Sequence, residues 1–189
     1  MTESKGSPKR GAVVARVDTN EPAPANSPTT FPIVGVGASA GGMEAFTELL
    51  RHISPGAGMA FVLIQHLDPT HPSYLSEALS RSTSFPVHEI QDGMRVEPDH
   101  VYVIPSDADV GILKGSLALL ARSSNAQKPH LPIDFFFKAL AADSGNQAIG
   151  VVLSGTGSDG AEGLRAIKAE DGVTFAQEPR SARFAKKPA

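Results

Sequence analysis

The chain has 189 residues, 41% of them apolar, and contains neither cysteine nor tryptophan. Without cysteine it can build no disulfide framework, thiol nucleophile or Cys-type zinc site. Seventeen basic residues against twenty acidic ones leave a formal charge of −3, so no overall imbalance draws the chain to nucleic acid or anionic lipid.

Residues 1–30 hold four prolines, many small polar side chains and only Val13, Val14 and Val17 as strong apolar ones. Such a stretch cannot bury enough surface to offset its chain entropy, which predicts a disordered tail or linker. It also lacks the hydrophobic block of a secretory signal. The longest purely apolar run, 59–64, is too short to cross a bilayer, so no membrane insertion and a soluble, cytoplasmic domain are expected. Residues 33–37 and 59–66 are short apolar runs with β-branched members, the pattern of buried parallel strands. Between them Met43, Phe46, Leu49 and Leu50 are spaced for a helix over 42–53. Pro72 suits the first turn of a second helix, running to about Arg81.

The middle is richer in strand: 87–90, a turn at Asp92–Gly93, 101–104, and a hairpin turning at Lys114–Gly115. A loop over 123–129 leads to a helix over 133–143, a strand over 148–153, a helix over 160–170 and a last strand over 173–176. Strand–helix alternation at both ends predicts an α/β fold: a mostly parallel, doubly wound sheet with helices on both faces and a β-hairpin insertion.

In open α/β sheets, sites form at the carboxyl ends of strands, and three such ends stand out. The first, Gly35-Val36-Gly37-Ala38-Ser39-Ala40-Gly41-Gly42, allows a sharp turn that presents Ser39 at a helix N-terminus, where free N–H groups can hold an oxyanion. The same segment also reads as a turn whose serine caps the helix, or as a phosphate cradle of the G-x-G-x-x-A kind. The second strand ends in His66, where a dinucleotide site would want an acidic residue. His66 reads either as a surface histidine or as a base beside Ser39. Asp68 and His71 extend it to H-x-D-x-x-H, a spacing interrupted by Pro69 that is taken as incidental rather than as a metal site. The third end, Leu153-Ser154-Gly155-Thr156-Gly157-Ser158-Asp159-Gly160, places Asp159 at a helix start. An aspartate there is commonly a helix cap, stabilising by roughly 1 kcal/mol. It also completes a set of nucleophile, base and orienter in an order unlike that of the α/β-hydrolases.

Together, GVGASAGG, the strand ending in IQH, the stretch 91–105, the segment Pro132-Ile133-Asp134-Phe135-Phe136-Phe137 and LSGTGSDGAEGL resemble the catalytic domain of the chemotaxis receptor methylesterases, the CheB family. The resemblance runs collinearly over about 31–180. It implies Ser39 as nucleophile, His66 as general base, Asp159 as orienting carboxylate, and the backbone N–H groups of Ala40 and Thr156 as oxyanion-hole donors. The family often has a hydroxyl residue at position 40 and Met at 156, departures that leave a backbone donor in place. The implied activity is hydrolysis of glutamate γ-methyl esters on the cytoplasmic helices of a methylated chemoreceptor, with glutamine deamidation as a related reaction and no cofactor or metal. A receiver or methyltransferase module, in the same or another chain, is an implied partner, because 1–30 cannot form the family's receiver domain. The family's domain also continues past the position of Pro188, so 31–189 is expected to be a catalytic domain shortened at its C-terminal end, leaving uncovered apolar surface around 173–176. Two other classes stay open at this point: a catalytically weak regulatory or interaction domain, and a nucleotide-binding module.

Overall fold

A computed structural model describes residues 29–38, 42–66, 74–122, 129–153 and 158–178. Among these, six strands form one sheet: β1 (Ile33–Ala38), β2 (Ala60–Gln65), β3 (Val87–Glu89), β4 (Val101–Val103), β7 (Ala148–Leu153) and β8 (Val173–Ala176). Their order is β3-β4-β2-β1-β7-β8, and every pairing is parallel. The central strands β1 and β2 are buried almost end to end, which is why they read as unbroken apolar runs instead of alternating ones.

The chain enters the sheet at β1, steps to β2 on one side, and after β4 returns to place β7 on the other side of β1. The direction of winding therefore reverses between β1 and β7, and the crevice outside the strand ends at such a point is where open α/β sheets place their sites. The register brings the three relevant ends level, with Ala38 opposite both Gln65 and Leu153.

Helices α1 (Gly42–Arg51) and α2 (Leu75–Ser80) cover one face, packing Phe46, Leu50 and Leu79 against Phe61 and Leu63 of β2. The helix expected over 42–53 thus stops at Arg51, and the second helix is described from Leu75 onward, because 67–73, including Pro72, lies outside the described residues. The opposite face carries α3 (Pro132–Ser144) and α4 (Ala161–Ala169), with Phe136, Phe137, Leu140 and Ile167 fully buried against Val62 and Ile64. A short 3₁₀ turn, Gly145–Gln147, links α3 to β7.

Two glycines of β1 set how closely α3 approaches. A Cβ on Gly37 would collide with Ile133, and one on Gly35 would meet Leu140, Phe137 and Phe136 at 3.0–3.1 Å, closer than ordinary van der Waals contact. These glycines sit inside the strand and let α3 pack closely on it.

The insertion is an antiparallel hairpin, β5 (Ala108–Leu113) and β6 (Ser116–Ala121), packed on α3. Its two-residue turn has Lys114 at φ +52° and Gly115 at φ +72°, the left-handed pair that matches strand twist. The Asp143 carboxylate, near the end of α3, accepts the N–H groups of both turn residues and ties the hairpin tip to the helix. At the far edge of the sheet, Val173 and Phe175 of β8 are 47% and 57% exposed.

Candidate active site

His66 immediately follows β2, and Asp159 lies six residues beyond the end of β7, one residue before the Gly160 N-cap of α4. The two meet: the His66 Nε2–H donates to Asp159 Oδ2 at 2.7 Å. The Asp159 side chain is only 4% exposed and that of His66 is 42% exposed, so the carboxylate is enclosed while the ring is partly open to solvent.

The surroundings of Asp159 explain why a buried carboxylate is tolerated. Oδ2 also accepts the backbone N–H of Ile133 at 3.1 Å, and Oδ1 accepts that of Asp134 at 2.9 Å. These are N–H groups of the first turn of α3, which no intrahelical carbonyl can satisfy. Burial by itself would raise the carboxyl's pKa. The hydrogen bond from His66, the N–H bonds from Asp134 and Ile133 and the charge of His66 outweigh it and hold Asp159 below the ordinary aspartate value. Asp159 is therefore an acceptor, so His66 Nε2 donates to it, and in the neutral form of the ring the lone pair lies on Nδ1. A base oriented by a carboxylate on one nitrogen can accept a proton on the other.

The expectation that Asp159 caps its own helix is corrected by these contacts. The Gly160 N-cap adopts φ +98°, and no N-cap side chain bonds into α4. Asp159 instead caps α3, and the cap of α4 comes from Asp134, whose Oδ1 accepts the N–H groups of Gly160 at 3.0 Å and Gly163 at 2.7 Å. The two aspartates exchange helices. Asp134 is 4% exposed and was not singled out for any role in the sequence. The cue available was an acidic residue in the first turn after Pro132, which says nothing about a partner helix 26 residues away.

A second polar group braces the entry to α3. His130 donates from Nε2 to Asp109 Oδ1 at 2.6 Å and accepts on Nδ1 from Arg122 Nη2 at 3.1 Å, and Arg122 Nη1 bonds to the Ser106 carbonyl at 3.0 Å. This links hairpin and helix two residues ahead of Pro132.

Of the expected site residues, the structure brings His66 and Asp159 together. Ser39 and Ala40, which follow β1, and Thr156, which follows β7, lie outside the described residues, as do Asp68 and His71. Among the described residues no group of three or more His, Asp or Glu side chains gathers as a metal site, and no helix is long and apolar enough to cross a membrane.

The model of the CheB methylesterase family matches residues 34–189. The chain belongs to the CheB methylesterase family. A protein-glutamate methylesterase/protein-glutamine glutaminase of Burkholderia lata is 34% identical over 180 residues, covering 92% of this chain and 49% of that protein. A Shewanella oneidensis protein of the same description is 35% identical over 152 residues, covering 79% of this chain and 43% of its own length. The chain thus spans about half the length of these curated relatives. The Thermotoga maritima CheB methylesterase catalytic domain superposes with a TM-score of 0.74, covering 85% of this chain and 86% of that one at 24% identity. That likeness bears out the expected α/β architecture, with its mostly parallel sheet and small hairpin.

Proposed function

We propose that this chain hydrolyses glutamate γ-methyl esters, using Ser39 as nucleophile, His66 as base and Asp159 as orienter. The observation that carries the reading is the 2.7 Å bond from His66 Nε2 to the buried Asp159, next to the winding reversal where β1 runs out into Ser39. The names of the relatives supply the substrate class, and a methylated chemoreceptor is the partner we assign.

In the first step Ser39 Oγ bonds to the ester carbonyl carbon while its proton passes to His66 Nδ1. The resulting imidazolium is stabilised by Asp159, and the oxyanion by the N–H groups of Ala40 and Thr156. Collapse of the intermediate breaks the bond to the methoxy oxygen, which takes the proton from His66 and leaves as methanol. Water then attacks the acyl-enzyme, again giving its proton to His66, and the glutamate carboxylate departs as Ser39 is restored. The net change is ester plus water to acid plus methanol. With a glutamine side chain the same steps release ammonia.

On this reading residues 31–189 form the catalytic unit and 1–30 a tail or linker, working in the cytoplasm without metal or cofactor. A receiver or methyltransferase module in the same or another chain is the regulatory partner. The test is methanol release from a methylated receptor fragment by the chain and by its Ser39→Ala variant. Release by the chain and none by the variant is expected. Equal release by both would overturn the assignment, and no release by either would leave a regulatory domain that keeps the fold.

A further inference from the structure

The exchange of caps between α3 and α4 has a direct consequence for the orienting carboxylate. Asp134 Oδ1 accepts the N–H of Gly160, and that N–H belongs to the peptide group joining Asp159 to Gly160. Holding this peptide fixes the direction in which the Asp159 side chain leaves the backbone. A second bond, from Gly163 N–H at 2.7 Å, anchors Asp134 itself to the first turn of α4. The Asp134 backbone N–H meanwhile donates to Asp159 Oδ1, so the carboxylate is held from its own main chain and from its far oxygen at once. Only Oδ2 is left to reach His66, and it does so while also accepting from Ile133.

Close packing makes the arrangement stiff. A Cβ on Gly163 would meet Phe137, and one on Gly160 would meet Ile133 at 2.9 Å, so α3 and α4 touch where the caps are exchanged. The neighbouring His130–Asp109–Arg122 group serves the entry of α3 and makes no bond to Asp159 among its described contacts.

We infer that Asp134 is a positioning residue for the hydrolytic reaction, one that acts through Asp159 by fixing the Asp159–Gly160 peptide. It touches neither substrate nor the reacting atoms. The inference rests on the proposed Ser39–His66–Asp159 reading.

The test compares Asp134→Ala and Asp134→Asn with Asp159→Ala and the unaltered chain, following methanol release and the downfield proton signal of the His66 Nε2–H. Asparagine keeps an acceptor at Oδ1, whereas alanine removes it. Asp134→Ala is expected to lower kcat about 10²-fold with KM little changed, as displacement of a catalytic group by about 1 Å would do. Its imidazole N–H signal should broaden or vanish. Asp134→Asn should restore both to near the unaltered values. A folded Asp134→Ala chain that keeps its kcat and its N–H signal, losing only thermal stability, would reduce Asp134 to a helix cap and overturn the inference. If Asp134→Ala does not fold, Asp134→Glu decides, because it keeps an acceptor but moves it by a methylene. A fall in kcat with a shifted N–H signal supports positioning, and unaltered kcat and signal in a stably folded Asp134→Glu chain contradict it. Failure of the triad reading looks different, because Asp159→Ala would then also keep its activity.

Discussion

The two helical layers of this molecule are built on different terms. The α1–α2 layer is held by an apolar stripe, with Phe46, Leu50 and Leu79 turned inward, and its charged residues pair on the surface, as Arg51 does with Glu48 and Arg81 with Glu77. Exposed pairs of this kind add little, typically under about 1 kcal/mol. The α3–α4 layer has the larger apolar contact and adds two buried aspartates whose acceptors are filled by backbone N–H groups of the opposite helix. Glycines at 35, 37 and 163 bring that layer close enough for the bonds to form. One layer is held by apolar packing, and the other adds buried carboxylates held by helix N–H groups.

This difference is open to being broken by substitution. The largest effect should come from the α3–α4 side. Asp159→Ala is expected to lower turnover by about 10⁴-fold, the scale seen when the orienter of a serine triad is lost. It also leaves the Ile133 and Asp134 N–H groups unpaired, at about 1–3 kcal/mol each if buried. Methanol-release kinetics and urea melts check the two parts, and a stability loss without a rate loss would make Asp159 purely structural.

Phe46→Ala, in the other layer, should cost about 3–5 kcal/mol of stability by emptying a fully buried site. The folded fraction should turn over within about twofold of the unaltered rate, because Phe46 belongs to the layer that makes no bond to Asp159. Gly37→Ala sharpens the contrast. Its added methyl faces Ile133, so about 1–3 kcal/mol of overpacking strain should be accompanied by a tenfold or greater fall in kcat, roughly, as the first turn of α3 is pushed off Asp159. Unchanged kcat in the stable fraction of Gly37→Ala would show that the spacing of α3 does not matter to the site.

The smallest effect is in acid. The folded pKa of Asp159 is depressed, so its contribution to stability is present above the unfolded aspartate value, about 3.9, and is lost as pH falls through the lower folded value. The stability gap between the unaltered chain and Asp159→Ala should therefore narrow as pH drops below about 4. Urea midpoints at a series of pH values measure it, and a gap that widens in acid would reverse the sign of the argument.

Much of the fold could be read from the chain itself. The runs that became β1, β2 and β7 are apolar and β-branched because those strands are buried on both faces, and Lys114–Gly115 announced the hairpin by its turn chemistry. Strand order was not legible, since nothing local says that β7 returns to the far side of β1. His66 and Asp159, which the structure brings into contact, could be singled out because strand ends with unusual residues are a local signal. The bond of Asp159 to His66 fits the orienter reading, whereas the helix-cap reading put it on the wrong helix, because the N–H groups it caps lie 25 and 26 residues away. Asp134 shows the limit most clearly, because its role exists only between two helices.

The central claim is that the His66–Asp159 pair activates Ser39, and covalent labelling tests it directly. A serine-directed phosphonate is mapped by mass spectrometry on the unaltered chain, on His66→Gln and on Asp159→Ala. The account predicts a label on Ser39 in the unaltered chain, none in His66→Gln and strongly slowed labelling in Asp159→Ala. Labelling of another serine, or equal labelling of Ser39 in all three chains, would contradict it.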